Sequence, residues 1–145
     1  MSALIFDRKL HRIGLVRRHQ ERPLLVAIWP AHNDVAKKAV GIWPSGMYKW
    51  AYYKPHKEEG LLPGAVRQAY GGLGIHVFSV AGRPGIGVHA GRTLGQPEAL
   101  GGITTGCIRV TPAAMQSINT CHRVDRLSGI WVADDLSLLA EGITV

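Results

Sequence analysis

The chain has only two cysteines, Cys107 and Cys121, in 145 residues. That is too few for the disulfide framework that staples many small secreted domains, and it leaves each thiol to be explained on its own. Long hydrophobic runs are also missing: no stretch approaches the roughly 18 apolar residues of a membrane span, so insertion into a membrane is not expected. The opening MSALIFDRKLHRIG lacks a positive segment followed by a long apolar core, so no Sec-type secretory signal is evident in it. Acidic residues are scarce, 10 Asp and Glu against 17 Lys and Arg, for a formal net charge of +7. Such an excess favours anionic partners. The basic residues are nevertheless scattered in pairs, Arg17 with Arg18 and Lys37 with Lys38, without the dense run or reader motif of a nucleic-acid-binding protein, so nucleic acid is not the expected partner. A basic surface that only maintains solubility fits the same charge. Internal repeats, low-complexity tracts and a second domain are likewise not evident. The expectation is one domain over residues 1–145, large enough to bury a single core.

What the chain does have is 18 glycines and 8 prolines, spread along its length. This pattern predicts many turns between short strands and a mainly β class. Leu4 to Phe6 and Ile13 to Val16 read as an opening hairpin, and Leu24 to Trp29 as a strand ending at Pro30. The polar AHNDVAKKAVG that follows reads as a loop with Asn33 and Asp34 as turn formers. Met47 to Tyr53 alternates as a strand with one exposed face. Residues 55–74 form a long connection with a helical turn around Ala65 to Tyr70, and a loop of that length is usually functional, here a flap beside a site. Ile75 to Val80 and Ile86 to His89 read as strands joined by a tight turn. Thr111 followed by Pro112 is an N-cap with proline at the first helical position, opening a helix on whose buried face Ala114, Ile118 and Cys121 fall together. Gly129 closes that segment and Ile130 to Ala133 is the last strand; the tail after it is undecided.

The chemistry concentrates between Gly85 and Thr111, where His89 and Cys107 sit in separate glycine-flanked apolar segments. A cysteine attacks carbonyls as the thiolate, and an imidazole within hydrogen-bond reach is the usual means of taking its proton. The two lie too far apart in sequence for one helical turn, so neighbouring strands or loops must bring them together. Backbone amides of Gly106 and Cys107 are the expected donors to an oxyanion, with Gly106 allowing the tight approach. No acidic residue lies nearby to orient the base, which leaves a backbone carbonyl, that of Ala90 or Gly91. Arg109 and Arg92 suit either a substrate carboxylate or bracing of the loop.

This arrangement resembles the L,D-transpeptidase catalytic domain (YkuD-like). The family motif of His, a spacer, Ser or Thr, His, Gly, Cys, an aliphatic residue and Arg or Asn reads here as His89, then Thr104, Thr105, Gly106, Cys107, Ile108 and Arg109. Thr105 stands where many members carry histidine. LIFDRKLHRIGLV is similar to the opening hairpin of such domains and IWPSGMYKW to their Pro-x-Gly-x-Tyr strand. The resemblance implies an L,D-transpeptidase-like β-sandwich with a helix after the catalytic cysteine, and an enzyme needing no cofactor. It implies Cys107 as nucleophile, His89 as base, and Thr104, Thr105, Arg109 and Arg92 along the substrate. The implied substrate is a peptidoglycan stem peptide, acylating the cysteine with release of the terminal D-alanine. An amine acceptor then gives a cross-link, whereas water gives an L,D-carboxypeptidase or endopeptidase, as in a toxin or lysis factor. Small phage and prophage proteins are also similar. Action would be in the periplasm or wall, with a delivery route or a delivery or immunity partner that the sequence does not identify.

Three other readings compete with this one. An isolated His and Cys are more often a core pair, but the Thr-Thr-Gly-Cys-Ile-Arg context argues against that here. A metal site from Cys121, His122 and Asp125 with His76 or His89 lacks standard ligand spacing. A noncatalytic phage component that holds wall peptides would keep the fold without turnover. Trp43, Trp50, Tyr52 and Tyr53 suit a groove, although alternating aromatics more often pack a strand.

Overall fold

A computed structural model describes residues 1–33, 43–55, 73–90 and 106–136. Within them the chain forms β1 (Ser2–Asp7), β2 (Arg12–His19), β3 (Arg22–His32), β4 (Gly46–Lys54), β5 (Ile75–Phe78), β6 (Gly87–His89), β7 (Ile108–Val110), α1 (Pro112–Val124) and β8 (Leu127–Ala133). The class is mainly β, with the helix directly after the cysteine strand. The described strands close into a barrel in the order β1-β2-β3-β7-β6-β5-β4-β8. The closing pair of β3 with β7 is short, Ala31 with Val110 and His32 with Arg109. Two contacts are parallel, β1 with β8 and β6 with β7; the other neighbours run antiparallel.

The core follows from strand alternation. Leu4, Phe6, Ile13, Leu15, Trp29, Ala31, Val88, Ile108, Val110, Ile130 and Val132 point inward and meet Ala114, Met115, Ile118 and Cys121 of α1. Burial of this size is the main favourable term in folding. The helix begins where expected, with the Thr111 hydroxyl accepting from the Ala114 amide at 3.1 Å and Pro112 in the first turn. Its buried face includes Cys121, as the spacing predicts.

Two boundaries differ from the sequence reading. Strand β3 does not stop at Pro30 but continues to His32, because Pro30 keeps an extended φ even though it cannot donate to the ladder. The helix is closed at Asp125, whose amide bonds the Cys121 carbonyl at 2.7 Å, whereas Gly129 lies inside β8. A side chain at Gly129 would meet the Tyr48 carbonyl at 2.5 Å, so glycine there serves close approach of β4 rather than termination. Residues 65–70, read as a helical turn, and the flap around them fall outside the described residues except at their ends.

The β2–β3 hairpin turns on Gln20 and Glu21, with φ of 49° and 63°, between the paired His19 and Arg22. Neither residue favours the left-handed region, where a Cβ crowds the backbone. Replacing the pair by Asn-Gly (Gln20→Asn with Glu21→Gly) is expected to raise stability by about 1 kcal/mol, read as a higher urea midpoint with an unchanged slope.

Candidate active site

Four strands build the site through one rung of backbone pairing. Ile75 of β5 faces His89 of β6, His89 faces Arg109 of β7, and Arg109 faces His32 of β3. Their neighbours Val88, Ile108, Val110 and Ala31 belong to the core, so alternation turns His89, Arg109 and His32 to the opposite face of the sheet. Cys107 immediately precedes β7, two residues before Arg109. The parallel pairing of β6 with β7 thereby brings Cys107, just before β7 and two residues from the Arg109 that His89 faces, into the neighbourhood of His89.

The approach of β5 to β6 depends on a missing side chain. A Cβ at Gly87 would lie 1.9 Å from the His76 carbonyl. Bare backbone at this position also lets the Gly87 amide hydrogen-bond to the Cys107 thiol. Cys107 is half-buried. Burial pushes its thiol up from the ordinary value, while the Gly87 amide and the Arg109 charge pull it back in part. The thiol therefore stays protonated near neutral pH unless a base takes the proton.

The side chain of His89 is 5 % exposed, and its Nδ1 lies 2.5 Å from the Ala90 carbonyl. A carbonyl oxygen only accepts, so Nδ1 carries the hydrogen and the lone pair of the neutral ring is on Nε2. Gly106 sits at φ 138°, a conformation that disfavours any residue with a side chain. Arg109 is 4 % exposed and close enough to Cys107 for its charge to act on the thiol. Of the residues singled out from sequence, Cys107, His89, Gly106, Ala90 and Arg109 are thus brought together around β6 and β7. Gly91, Arg92, Thr104 and Thr105 lie outside the described residues.

Two residues here escaped the sequence reading. Asn33, read as a turn former, is buried and donates from Nδ2 to the Gly106 carbonyl at 2.8 Å and to the Cys107 carbonyl at 3.3 Å. Trp43, read with the groove aromatics, is fully buried and donates from Nε1 to the same Gly106 oxygen at 2.5 Å. Nothing local in NDV or IWP marks either as a partner of a residue more than sixty positions away.

Behind the rung, on the core side, lies a second polar group. His76 is fully buried, with Nε2 2.8 Å from Asn119 Oδ1 on α1 and Nδ1 accepting from Trp50 Nε1 at 3.2 Å. Asn119 Nδ2 donates to the Leu73 carbonyl at 3.0 Å, so its oxygen must be the acceptor and His76 Nε2 the donor. Tyr53 and His122 pack against the ring at 4.8 and 4.9 Å. Trp50 and Tyr53 are therefore packing partners of a histidine. The atoms weighed as metal ligands have other partners: His122 Nδ1 accepts from the Leu127 amide at 3.1 Å, and Asp125 pairs with Arg17 at 3.1 Å. A groove of about 520 Å³ runs between β2, β3 and α1, lined by Leu15, Val26, Ser117 and Cys121, and includes neither His89 nor Cys107.

The sequence matches no protein-family model. Curated proteins offer no match either. Solved structures do match in fold. Bd1075 of Bdellovibrio bacteriovorus superposes with a TM-score of 0.65 at 15 % identity, covering 90 % of this chain and 46 % of that one. An L,D-transpeptidase (Yku) from Stackebrandtia nassauensis gives 0.55 at 13 % identity over 90 % of this chain and 54 % of its own. A fused Zn-dependent amidase/peptidase/peptidoglycan-binding domain-containing protein from Clostridium acetobutylicum gives 0.55 at 12 % identity, covering 90 % and 51 %. The chain spans about half the length of these structures, and at such identity the likeness is one of fold. The protein thus has an L,D-transpeptidase-like fold. Among the described residues no helix is long and apolar enough to cross a membrane.

Burial holds the His76 ring neutral, lowering its pKa from 6.5 to about 4 against an opposing hydrogen bond to Asn119, with the facing His122 lowering it slightly further. The unfolded chain takes this proton near 6.5 and the fold only near 4, so stability falls as pH drops through that window. His122, itself lowered by burial first and Arg126 second, acts in the same direction. Between pH 7 and 4, urea unfolding is expected to show the wild type losing about 2–3 kcal/mol more than His76→Gln.

Proposed function

We propose that the protein is a cysteine acyltransferase of the L,D-transpeptidase type, acting on peptidoglycan stem peptides through Cys107 and His89. The observation that carries this reading is the parallel β6–β7 pair, which gathers a half-buried thiol and an imidazole of defined tautomer on one face of the sheet. His89 Nε2 takes the Cys107 proton, and the thiolate attacks the carbonyl that joins the stem's third residue to the terminal D-alanine. The tetrahedral oxyanion is met by backbone amides at Gly106 and Cys107. Collapse expels D-alanine, whose amine takes the proton back from His89, and leaves a thioester. An amine of a neighbouring stem then forms a new amide and restores the thiol, giving a cross-link; water in its place gives a carboxylate. Arg109, with Arg92, Thr104 and Thr105, lines the substrate, and the basic charge suits a polyanionic wall in the periplasm.

Incubation of purified tetrapeptide muropeptides with wild-type protein should give cross-linked dimers or loss of D-alanine, read by mass spectrometry with a thioester adduct on Cys107. Cys107→Ala should abolish both, and His89→Ala should slow acylation by about 10²–10⁴-fold. Binding without turnover by both wild type and Cys107→Ala would instead identify a noncatalytic wall-peptide receptor.

A further inference from the structure

The peptide between Gly106 and Cys107 is held from one side by buried side chains. Its carbonyl accepts from two buried donors, Asn33 Nδ2 at 2.8 Å and Trp43 Nε1 at 2.5 Å. Asn33 uses its other end as well, accepting the Trp43 backbone N–H at 3.1 Å, so the two donors lock each other. The lock is anchored further out. Arg8 donates from one guanidinium nitrogen to the Trp43 carbonyl at 3.0 Å, and from two others to both oxygens of Asp134 at 2.8 Å. A trans peptide points its N–H away from its C=O, and the described chain has no cis bonds. Fixing the Gly106 oxygen on the Asn33 and Trp43 side therefore fixes the Cys107 N–H on the other. Hydrogen bonds accepted by a carbonyl also polarise its peptide and strengthen the N–H as a donor.

We propose that Asn33 and Trp43 are positioning residues that aim and polarise the Cys107 backbone amide toward the oxyanion formed when Cys107 attacks a carbonyl. This takes from the preceding reading only that Cys107 is an acyl-accepting nucleophile and is indifferent to the identity of the acyl donor. Asn33 is irreplaceable by its isostere on this account, because Asn33→Asp removes the donor and sets a carboxylate against two carbonyl oxygens.

The distinguishing measurement compares two reactions of the same thiol. Acylation by p-nitrophenyl acetate passes through an oxyanion, whereas alkylation by iodoacetamide is a displacement that needs only the thiolate. Both are followed on the Cys107 peptide by mass spectrometry, which separates it from Cys121. Trp43→Phe, which keeps a ring in the core but loses the Nε1 donor, and Asn33→Ala should each slow acylation at least 10-fold while changing alkylation less than about 3-fold; a fully lost oxyanion donor costs about 10²–10³-fold. Phe6→Leu, a buried core change that removes none of these hydrogen bonds, is the control for general loosening. The proposal is overturned if the clamp variants slow both reactions in parallel, if Phe6→Leu reproduces their selectivity, or if wild-type Cys107 acylates no faster than a cysteine peptide. Should Asn33→Ala fail to fold, Trp43→Phe alone decides. Muropeptides left intact by a wild type that still shows the acylation selectivity would sink the stem-peptide reading and leave the clamp standing.

Discussion

Two strands of three residues each, β6 and β7, paired in parallel, are what the site depends on. Without that pairing His89 and Cys107 belong to different parts of the chain; with it they share a face. The pairing in turn depends on Gly87, where backbone rather than a side chain meets the His76 carbonyl. A parallel pair cannot be closed by a tight hairpin, and residues 90–107 separate the two strands in sequence. This is the stretch in which the sequence sets Arg92, Thr104 and Thr105.

The sheet carrying the pair has two chemically distinct sides. Toward α1 lie apolar core and one neutral histidine with both ring nitrogens engaged. On the other side lie His89, Arg109 and Cys107, where the same burial that raises the thiol is opposed by an amide and a guanidinium. Two histidines one strand apart are thus assigned opposite parts by their surroundings. His76 is unable to accept a proton without breaking a hydrogen bond, because Nδ1 faces the Trp50 N–H donor. His89 has its hydrogen directed to a backbone carbonyl and its basic nitrogen on the far side of the ring.

Much of this was legible from residue order. The opening hairpin, the helix start at Thr111 and Pro112, and the buried place of Cys121 follow from local spacing and capping, which act over a few residues. The L,D-transpeptidase-like fold was legible from the His89 and Cys107 context. Other features were not, since they depend on contacts between distant segments. Pro30 looked like a strand end because its missing N–H is visible locally, while the neighbour that tolerates it is not. Gly129 looked like a helix stop because its true reason is the Tyr48 carbonyl on another strand. Closure of the described strands into a barrel likewise depends on β1 meeting β8 across the length of the chain.

The sequence by itself determined the candidate pair His89 and Cys107, the class of fold and the start of the helix at Thr111, because these are properties of residue type and short-range pattern. Only the tertiary structure decided which carbonyl orients His89 and which histidine is held neutral. It alone showed that Asn33 and Trp43 grip the peptide that joins Gly106 to Cys107. The reason is physical: a hydrogen bond between residues more than sixty positions apart leaves no periodicity and no local propensity in the chain, and exists only once the barrel has closed around it.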